Sequence, residues 1–312
     1  MKPLPKPELI FTHESDLDGL LSGLLLQKLS ASEFGETARI ESHHYPSWRT
    51  RTLREQCAWV ADFTFEKRMD RTNWLVLDHH STDVGAEHCR LIHDLGKSAS
   101  LLCYELCKQH GVQSEKLDRL VHLSNVADLY LDDDPEFDLA VDYANLVKIY
   151  GFWNLYSLIE GDPDRLLDHP LLEVMQTKRQ VEDPIGLDWS RRHVHRVTDQ
   201  LGFVETVVGD SNRIVHELLE EPDCSFEVLA TMFVKANRTV MVSFRSTGGQ
   251  ALPIARQFQG GGHANACGAN LPKSVGSIDE AIVYMKQILE PPSAGGSGLS
   301  SLEDAFSELK LG

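Results

Sequence analysis

Carboxylates and imidazoles recur in this chain at the ends of apolar runs. Asp78-His79-His80 closes Asn73-Trp74-Leu75-Val76-Leu77, a run that reads as a buried parallel strand. Leu9-Ile10-Phe11-Thr12 is a second such run, and it leads into His13-Glu14-Ser15-Asp16-Leu17-Asp18-Gly19. Asp62 lies near the end of Cys57-Ala58-Trp59-Val60-Ala61-Asp62-Phe63, and Asp128 closes a helical segment that starts near Ser114. Oxygen and imidazole-nitrogen donors in this mixture suit Mn²⁺, Mg²⁺ or Zn²⁺. Two such ions about 3.5–4 Å apart clamp the attacking and leaving oxygens of a phosphoryl transfer. Each motif alone has a plainer reading. Asp18-Gly19 is a common turn, Asp62 a strand-end cap, and Asp128 the neighbour of a solvated acidic stretch, Asp132-Asp133-Asp134. Together, all at strand or helix ends of one sheet, they point to a divalent-metal centre.

Such a centre needs a parallel sheet to position it, because ligands bind beyond the carboxyl ends of parallel strands. Strands are expected at 9–12, 38–45, 57–63, 73–77 and 90–93, with helices over 20–29, 98–109 and 114–128. This alternation predicts an α/β fold with a doubly wound parallel sheet over residues 1–134. Residues 135–198 read as a helical connector. From 199 to 290, strands at 203–208, 226–234 and 239–245 and helices at 213–220 and 278–289 predict a smaller α+β domain. Residues 291–312 read as a flexible tail, a Pro/Gly/Ser linker followed by a short helix capped by Ser301. In the second domain, Gly260-Gly261-Gly262 before His263 lets backbone N–H groups approach an anion with no side chain in the way. His263 and Arg245 can then pair with a phosphate, which arginine grips in a forked, bidentate manner.

Composition narrows the function. The chain has 312 residues, 42% of them hydrophobic, and a formal net charge of −17 at pH 7. That length suits two domains with real cores. The charge argues against tracking long duplex DNA through its phosphates. A small anionic substrate stays open, since bound cations reverse the local field. Six cysteines form no Cys-x-x-Cys pair, and Cys103 and Cys107 sit four apart in a helical pattern. They read as reduced thiols of a cytoplasmic protein. No apolar run of about 18 residues and no signal-peptide core is evident, so no membrane partner is expected. His43-His44 and His193-Val194-His195 are further imidazole pairs, assigned to no metal.

In their order along the chain, these motifs resemble the DHH-family phosphoesterases. His13-x-x-Asp16-x-Asp18-Gly19 resembles the family's first motif, Asp62 its second, Asp78-His79-His80 its third and Asp128 its fourth. Residues 242–246, 254–258 and 260–268 resemble the family's associated substrate-binding domain with its triple-glycine histidine loop. Cys267 stands where a small residue such as alanine is usual. The resemblance implies one metal held by His13, Asp16 and Asp62 and a second held by Asp18, Asp62, His79 and Asp128, with Asp62 bridging. It implies a catalytic set of Asp62, Asp78, His79 and His80. Asp78 would orient a ligand imidazole, and His80 would face the substrate phosphate or the leaving oxygen. Arg245, Ser246, Gly260, Gly261, Gly262 and His263 would bind substrate, and Ser98 and Ser100 open a helix beside the metals. Two divalent ions are implied, Mn²⁺ ahead of Mg²⁺.

The activity implied is hydrolysis of short oligonucleotides (nanoRNA, linear dinucleotides) to mononucleotides. Alternatives are a cyclic dinucleotide phosphodiesterase or a 3′-phosphoadenosine 5′-phosphate phosphatase. A nucleotide-binding signalling module that docks through its C-terminal peptide is the non-enzymatic reading. A homodimer through the first domain fits the family.

Overall fold

A computed structural model describes residues 3–291. The chain divides into two compact units between Asp183 and Pro184. The helix expected after Ser301 lies outside the described residues.

The first unit is built on five strands: β1 (Leu9–His13), β2 (Arg39–His43), β3 (Ala58–Ala61), β4 (Leu75–Asp78) and β5 (Arg90–His93). Every pairing is parallel, in the order β2-β1-β3-β4-β5. The middle strands β1, β3 and β4 are covered on both faces, which is why they read as unbroken apolar runs. The helices are α1 (Leu17–Phe34), α2 (Tyr45–Thr50), α3 (Ala99–Gln109), α4 (Glu115–Asp128), α5 (Phe137–Tyr150) and α6 (Phe152–Leu158). Ile10, Trp59, Ala61, Leu75 and Leu77 face one side of the sheet, in a core shared with α1, α3, α4, α5 and α6. Leu9, Phe11, Val60 and Val76 face the other side, against Trp48, Phe63, Phe65 and Trp74. There aromatic packing takes the place of long helices: Trp48 and Phe63 stack with ring centroids 4.4 Å apart. The fold is α/β with a parallel sheet, as expected.

The second strand ends earlier than its sequence suggests. Residues 45–50 form α2, with proline in the first turn, where a fixed φ and a missing N–H cost nothing. The strand order changes direction between β1 and β3, so a crevice opens at their carboxyl ends. β1 delivers His13 to that crevice, and the residue after β3 is Asp62.

Pro184, within helix α7 (Leu171–Arg191), removes a backbone donor where the two units divide. The second unit carries a mixed sheet of β6 (Val194–Arg196), β7 (Leu201–Val204), β8 (Val228–Val234), β9 (Val240–Arg245), β10 (Gly261–Gly262) and β11 (Ala266–Asn270). Its order is β10-β11-β9-β8-β7-β6, with only β7 and β8 parallel. The helices here are α8 (Ser211–Glu220), α9 (Ala251–Gln257) and α10 (Ile278–Leu289). Val228, Ala230, Val242, Phe244, Cys267 and Ala269 pack beneath α9 and α10. Val204 and Leu229 face the opposite side, against Ile214, Val215 and Leu218 of α8. The strand expected at 203–208 is displaced to Leu201–Val204, and β6, β10 and β11 have no counterpart in the sequence reading. Gly261-Gly262 and the small residues of β11 have little strand propensity of their own; the free edge of β9 makes them strands.

No helix among the described residues is long and apolar enough to cross a membrane. All six cysteines are free thiols. Burial raises the Cys103 thiol well above its ordinary range and pushes Cys107 up to about 12, so neither is a nucleophile near neutrality.

Candidate functional site

The connection from β1 to α1 builds the first part of the site. Asp16 is the N-cap of α1: its Oδ1 accepts the Gly19 N–H at 3.0 Å, and its Oδ2 lies 2.8 Å from His13 Nδ1. One carboxylate therefore starts the helix and faces the imidazole at the strand end. Asp18, in the first turn, points inward and is buried. The approach of helix to strand requires glycine at 19, where a Cβ would stand 2.2 Å from the His13 carbonyl oxygen. Thr12 Oγ1 donates to the Gly19 carbonyl at 2.5 Å and holds the turn closed.

Asp62 follows β3 with φ of +60°, a left-handed conformation that costs a non-glycine residue energy and that aspartate tolerates better than most. Its Oδ2 lies 3.5 Å from His13 Nδ1 and its Oδ1 lies 3.4 Å from His79 Nε2. His79 Nε2 is also 3.5 Å from Asp128 Oδ2 and 3.9 Å from Asp18 Oδ2. Two groups result, His13 with Asp16 and Asp62, and Asp18 with His79 and Asp128. Within each, the candidate ligand atoms lie within 4.8 Å of one another. Asp62 stands beside both.

Asp18 is held by a helix N-terminus. Its Oδ2 accepts the Ala99 N–H and its Oδ1 the Ser100 N–H, both at 2.8 Å, from the first turn of α3. Ser98 caps that helix, and its Oγ lies 3.0 Å from Ser100 Oγ. Ser100 Oγ donates to Ser124 Oγ of α4 at 2.9 Å, and Ser124 Oγ donates to Asp18 at 3.4 Å. Ser124 was not singled out from the sequence, where nothing distinguishes it from any serine on an amphipathic helix.

Four carboxylates around two imidazoles leave negative charge that these side chains do not balance. Burial, reinforced by Asp62, pushes Asp18 up to about 6. Burial and the Asp18 charge raise Asp128 well above the carboxylate range. Burial opposes protonation of His79, but Asp62, Asp128 and Asp18 outweigh it and raise the imidazole to about 10. Burial also works against the Asp62 carboxylate, yet His13 and His79 together hold it well below its usual range. Asp62 Oδ2 and Asp128 Oδ2 are buried without a hydrogen bond. Separations of 3.4–3.9 Å around His79 exceed normal hydrogen bonds and suit atoms that converge on a shared cation. The donor set fits divalent metal ions.

Behind this cluster, Asp78 is fully buried and engages His80. Asp78 Oδ1 accepts the His80 N–H at 3.1 Å and lies 2.8 Å from His80 Nδ1, while Oδ2 accepts the Phe65 N–H at 3.0 Å. The ring is thereby fixed with Nε2 toward Tyr45 Oη, 3.2 Å away. Tyr45 also sets its ring edge-on to His13, with centroids 5.1 Å apart. Sequence reasoning placed Tyr45 at the end of a strand and missed it, since no spacing marks it. His43 instead pairs with Glu41 at 2.8 Å, and His44 lies 2.7 Å from Ser15 Oγ. His193 stacks on Trp189 at 3.9 Å, and His195 lies 2.9 Å from Glu205.

In the second unit the triple glycine is not a free loop. Gly261 and Gly262 pair with Gly268 and Cys267, and His263 turns the chain into β11 through reciprocal backbone bonds with Ala266 of 2.9 and 3.2 Å. The glycines serve different needs. A Cβ at Gly260 would meet the Gly268 carbonyl oxygen at 2.4 Å, and one at Gly262, where φ is +138°, the Ala266 oxygen at 2.4 Å. A Cβ at Gly261 would meet nothing within 4 Å. Gly261 thus leaves an exposed stretch of backbone open to a ligand. Ser246 Oγ donates to Asn265 Oδ1 and accepts the Ala251 N–H, each at 3.0 Å, and Asn265 Oδ1 also accepts the Gly249 N–H at 2.6 Å. These bonds clamp the hairpin to the start of α9, and Asn265 is a second residue that the sequence reading passed over. Arg245 Nη2 donates to Asn212 Oδ1 of α8 at 2.8 Å. Cys267 turns into the core, where burial pushes its thiol up to about 11.

The sequence of this unit is also locally free of acid. Residues 228–278 contain no aspartate or glutamate, but they carry Lys235, Arg238, Arg245, Arg256 and Lys273 in a chain of net charge −17. An acid-free stretch of that length favours an anionic ligand.

Residues 203–290 match the family model described as the DHHA1 domain. No curated protein sequence matches the chain. Among solved structures, it is similar to the pGpG-specific phosphodiesterase PggH from Vibrio cholerae, at 14% identity and a TM-score of 0.55, over 92% of this chain and 100% of that one. It is similar to RecJ from Thermus thermophilus, solved in complex with Mn²⁺, at 16% identity and a TM-score of 0.51, over 93% of this chain and 53% of that one. An exopolyphosphatase-related protein from Bacteroides fragilis matches at 16% identity and a TM-score of 0.50, over 92% of both chains. These likenesses establish the fold.

Proposed function

We propose that this chain, a DHH-family phosphoesterase whose second unit is a DHHA1 domain, is a metal-dependent phosphodiesterase that degrades short oligonucleotides to mononucleotides. The observation that carries the reading is Asp62, set beside two separate carboxylate–imidazole groups, 3.5 Å from His13 and 3.4 Å from His79. His13, Asp16 and Asp62 would hold one divalent ion and Asp18, Asp62, His79 and Asp128 the other; the mixed oxygen and imidazole donors suit Mn²⁺, the ion bound in the Thermus thermophilus RecJ structure, which we place ahead of Mg²⁺. When bound, such ions offset the charge that develops on a transferring phosphoryl group and acidify water.

The protein's own residues do the rest. The first turn of α3 orients the Asp18 carboxylate through two N–H donors and partly offsets the effect of its burial. Asp78 holds His80 at Nδ1, leaving Nε2 to pass a proton to the departing oxygen, with Tyr45 Oη as its resting partner. In the second unit, Arg245, His263 and the open backbone at Gly261 form a receptor for a terminal phosphate. Ser246, through its bonds to Asn265 and Ala251, keeps the hairpin in register, and Gly260 and Gly262 allow its close packing. The acid-free stretch 228–278 supports an anionic substrate, and the overall charge of −17 supports a short one.

Product analysis tests this. With Mn²⁺, 5′-phosphorylated RNAs of two to five residues are offered beside a cyclic dinucleotide and 3′-phosphoadenosine 5′-phosphate. A linear dinucleotide such as pGpG, the substrate in the Vibrio protein's name, belongs in the same panel. Stepwise release of mononucleotides from the linear substrates is expected, and chelation by EDTA abolishes it. Turnover of only the cyclic or bisphosphate compound contradicts the substrate class, and turnover of none contradicts the enzyme.

A further inference from the structure

We infer that the α8-side face of the second unit's sheet, beyond α8 itself, is a stacking platform for the bases of a single-stranded oligonucleotide, with Phe233 as its far step. The inference rests on the proposed function and deepens it, because it adds a reader of substrate length to the terminal-phosphate receptor.

Strand alternation defines the face. Val228, Ala230 and Met232 of β8 and Val240, Val242 and Phe244 of β9 point into the core under α9 and α10. Leu229, Thr231 and Phe233 therefore point the other way, as do Met241, Ser243 and Arg245. α8 packs on Leu229 at one end. The register then places three cross-strand rows side by side. Leu229, Arg245 and Ala266 form the first; Thr231, Ser243, Gly268 and Gly261 the second; Phe233, Met241 and Asn270 the third. The first two rows hold Arg245 and Gly261, the receptor for a terminal phosphate. The third lies four residues along β9 from Arg245, roughly 13 Å at the rise of an extended strand.

The third row has the chemistry of a base-binding step. Phe233 is 46% exposed, a large apolar ring left on a sheet surface. Met241 is half-buried beside it and Asn270 is exposed, with Lys235 Nζ 3.4 Å from Asn270 Oδ1. Lys235 follows in the β8–β9 turn on this row, while the Arg238 guanidinium lies beside Gly276 and Glu280 at the start of α10; no acidic residue occurs on β8, β9, β10 or β11. An exposed aromatic ring beside a lysine, on strands that carry no carboxylate, is how proteins hold single-stranded nucleic acid without reading its sequence. A strand advances about 3.4 Å per stacked nucleotide and farther when extended, so the span from Arg245 to Phe233 takes a few nucleotides. Phe233 then touches the longer substrates and misses a dinucleotide.

Equilibrium binding measures this without turnover. Fluorescently labelled RNA dimer and pentamer are titrated in EDTA against the full chain and its Phe233→Ala and Phe233→Trp variants. Phe233→Ala is expected to weaken the pentamer about 5- to 150-fold, the range set by loss of one base–aromatic stack. It should leave the dimer within twofold, and Phe233→Trp should restore pentamer binding. The ring is exposed, so unchanged thermal unfolding should accompany the loss. Equal effects on dimer and pentamer, or none on either, overturn the platform, as does failure of the wild-type protein to bind the pentamer. A change confined to sedimentation behaviour makes the face a self-association surface and overturns it too. Because binding is read without metal, a Phe233-dependent pentamer complex supports the platform even if the product panel fails. Hydrolysis of short RNA with Phe233-independent binding removes the platform alone.

Discussion

Asp62→Asn is expected to lower kcat by more than the 10–100-fold that loss of a residue behind a metal ligand costs, with the fold retained. Asparagine keeps the shape of the side chain and tolerates the +60° φ that position 62 requires, so the turn after β3 survives. What disappears is the charge that faces His13 and His79 together. Both proposed metal positions lose an anionic ligand in one substitution, whereas a change at Asp16 or Asp128 would touch only one. The predicted signature is therefore joint. kcat collapses, and the rise in Tm that Mn²⁺ gives the wild-type protein by mass action largely vanishes. Circular dichroism of the metal-free variant should match wild type. Activity within tenfold of wild type would remove Asp62 from the centre of the mechanism.

The second large effect separates two neighbouring glycines. Gly262→Ala places a Cβ against the Ala266 carbonyl oxygen at 2.4 Å, at a φ of +138°. Backbone meets backbone there, so no side chain can swing aside. Strain and overpacking together should cost roughly 2–5 kcal/mol and lower Tm, by differential scanning calorimetry. Gly261→Ala has open space and an ordinary φ, so its stability should stay within about 0.5 kcal/mol of wild type and Tm should barely move, as for a surface substitution. Its methyl group would project from the exposed backbone that is proposed to meet the terminal phosphate, and KM for short RNA should rise instead. If Gly261→Ala leaves KM unchanged, the phosphate does not approach that strand.

Much of the first unit was legible because its signals are local. β1, β3 and β4 are doubly buried and short, so each reads as an apolar run with a chemically distinctive residue at or just after its end. Asp16, Asp18, Asp62, His79 and Asp128 could be picked out because carboxylates and imidazoles recur together at the strand and helix ends of one sheet, though each alone has a plainer reading. What escaped has no such mark. Tyr45 reaches His80 only because Pro46 turns residues 45–50 into a helix, and Ser124 reaches Asp18 only because α4 packs beside α3. Both are tertiary facts. In the second unit the glycine-rich hairpin carried no strand propensity, since its pairing is imposed by β9 and its clamp by Asn265. The acid-free stretch 228–278 was visible in the sequence and needed only a local, not a global, count of charge.

The central claim is that the carboxylate–imidazole cluster holds a pair of divalent ions shared by Asp62. Equilibrium dialysis against Mn²⁺, with bound metal counted by atomic emission, tests it most directly. The account predicts that the wild-type chain saturates at about two ions, as a two-metal site requires, and that Asp62→Asn retains neither tightly. Saturation of the wild-type chain at one ion or none, or two ions bound with undiminished affinity by Asp62→Asn, would contradict it.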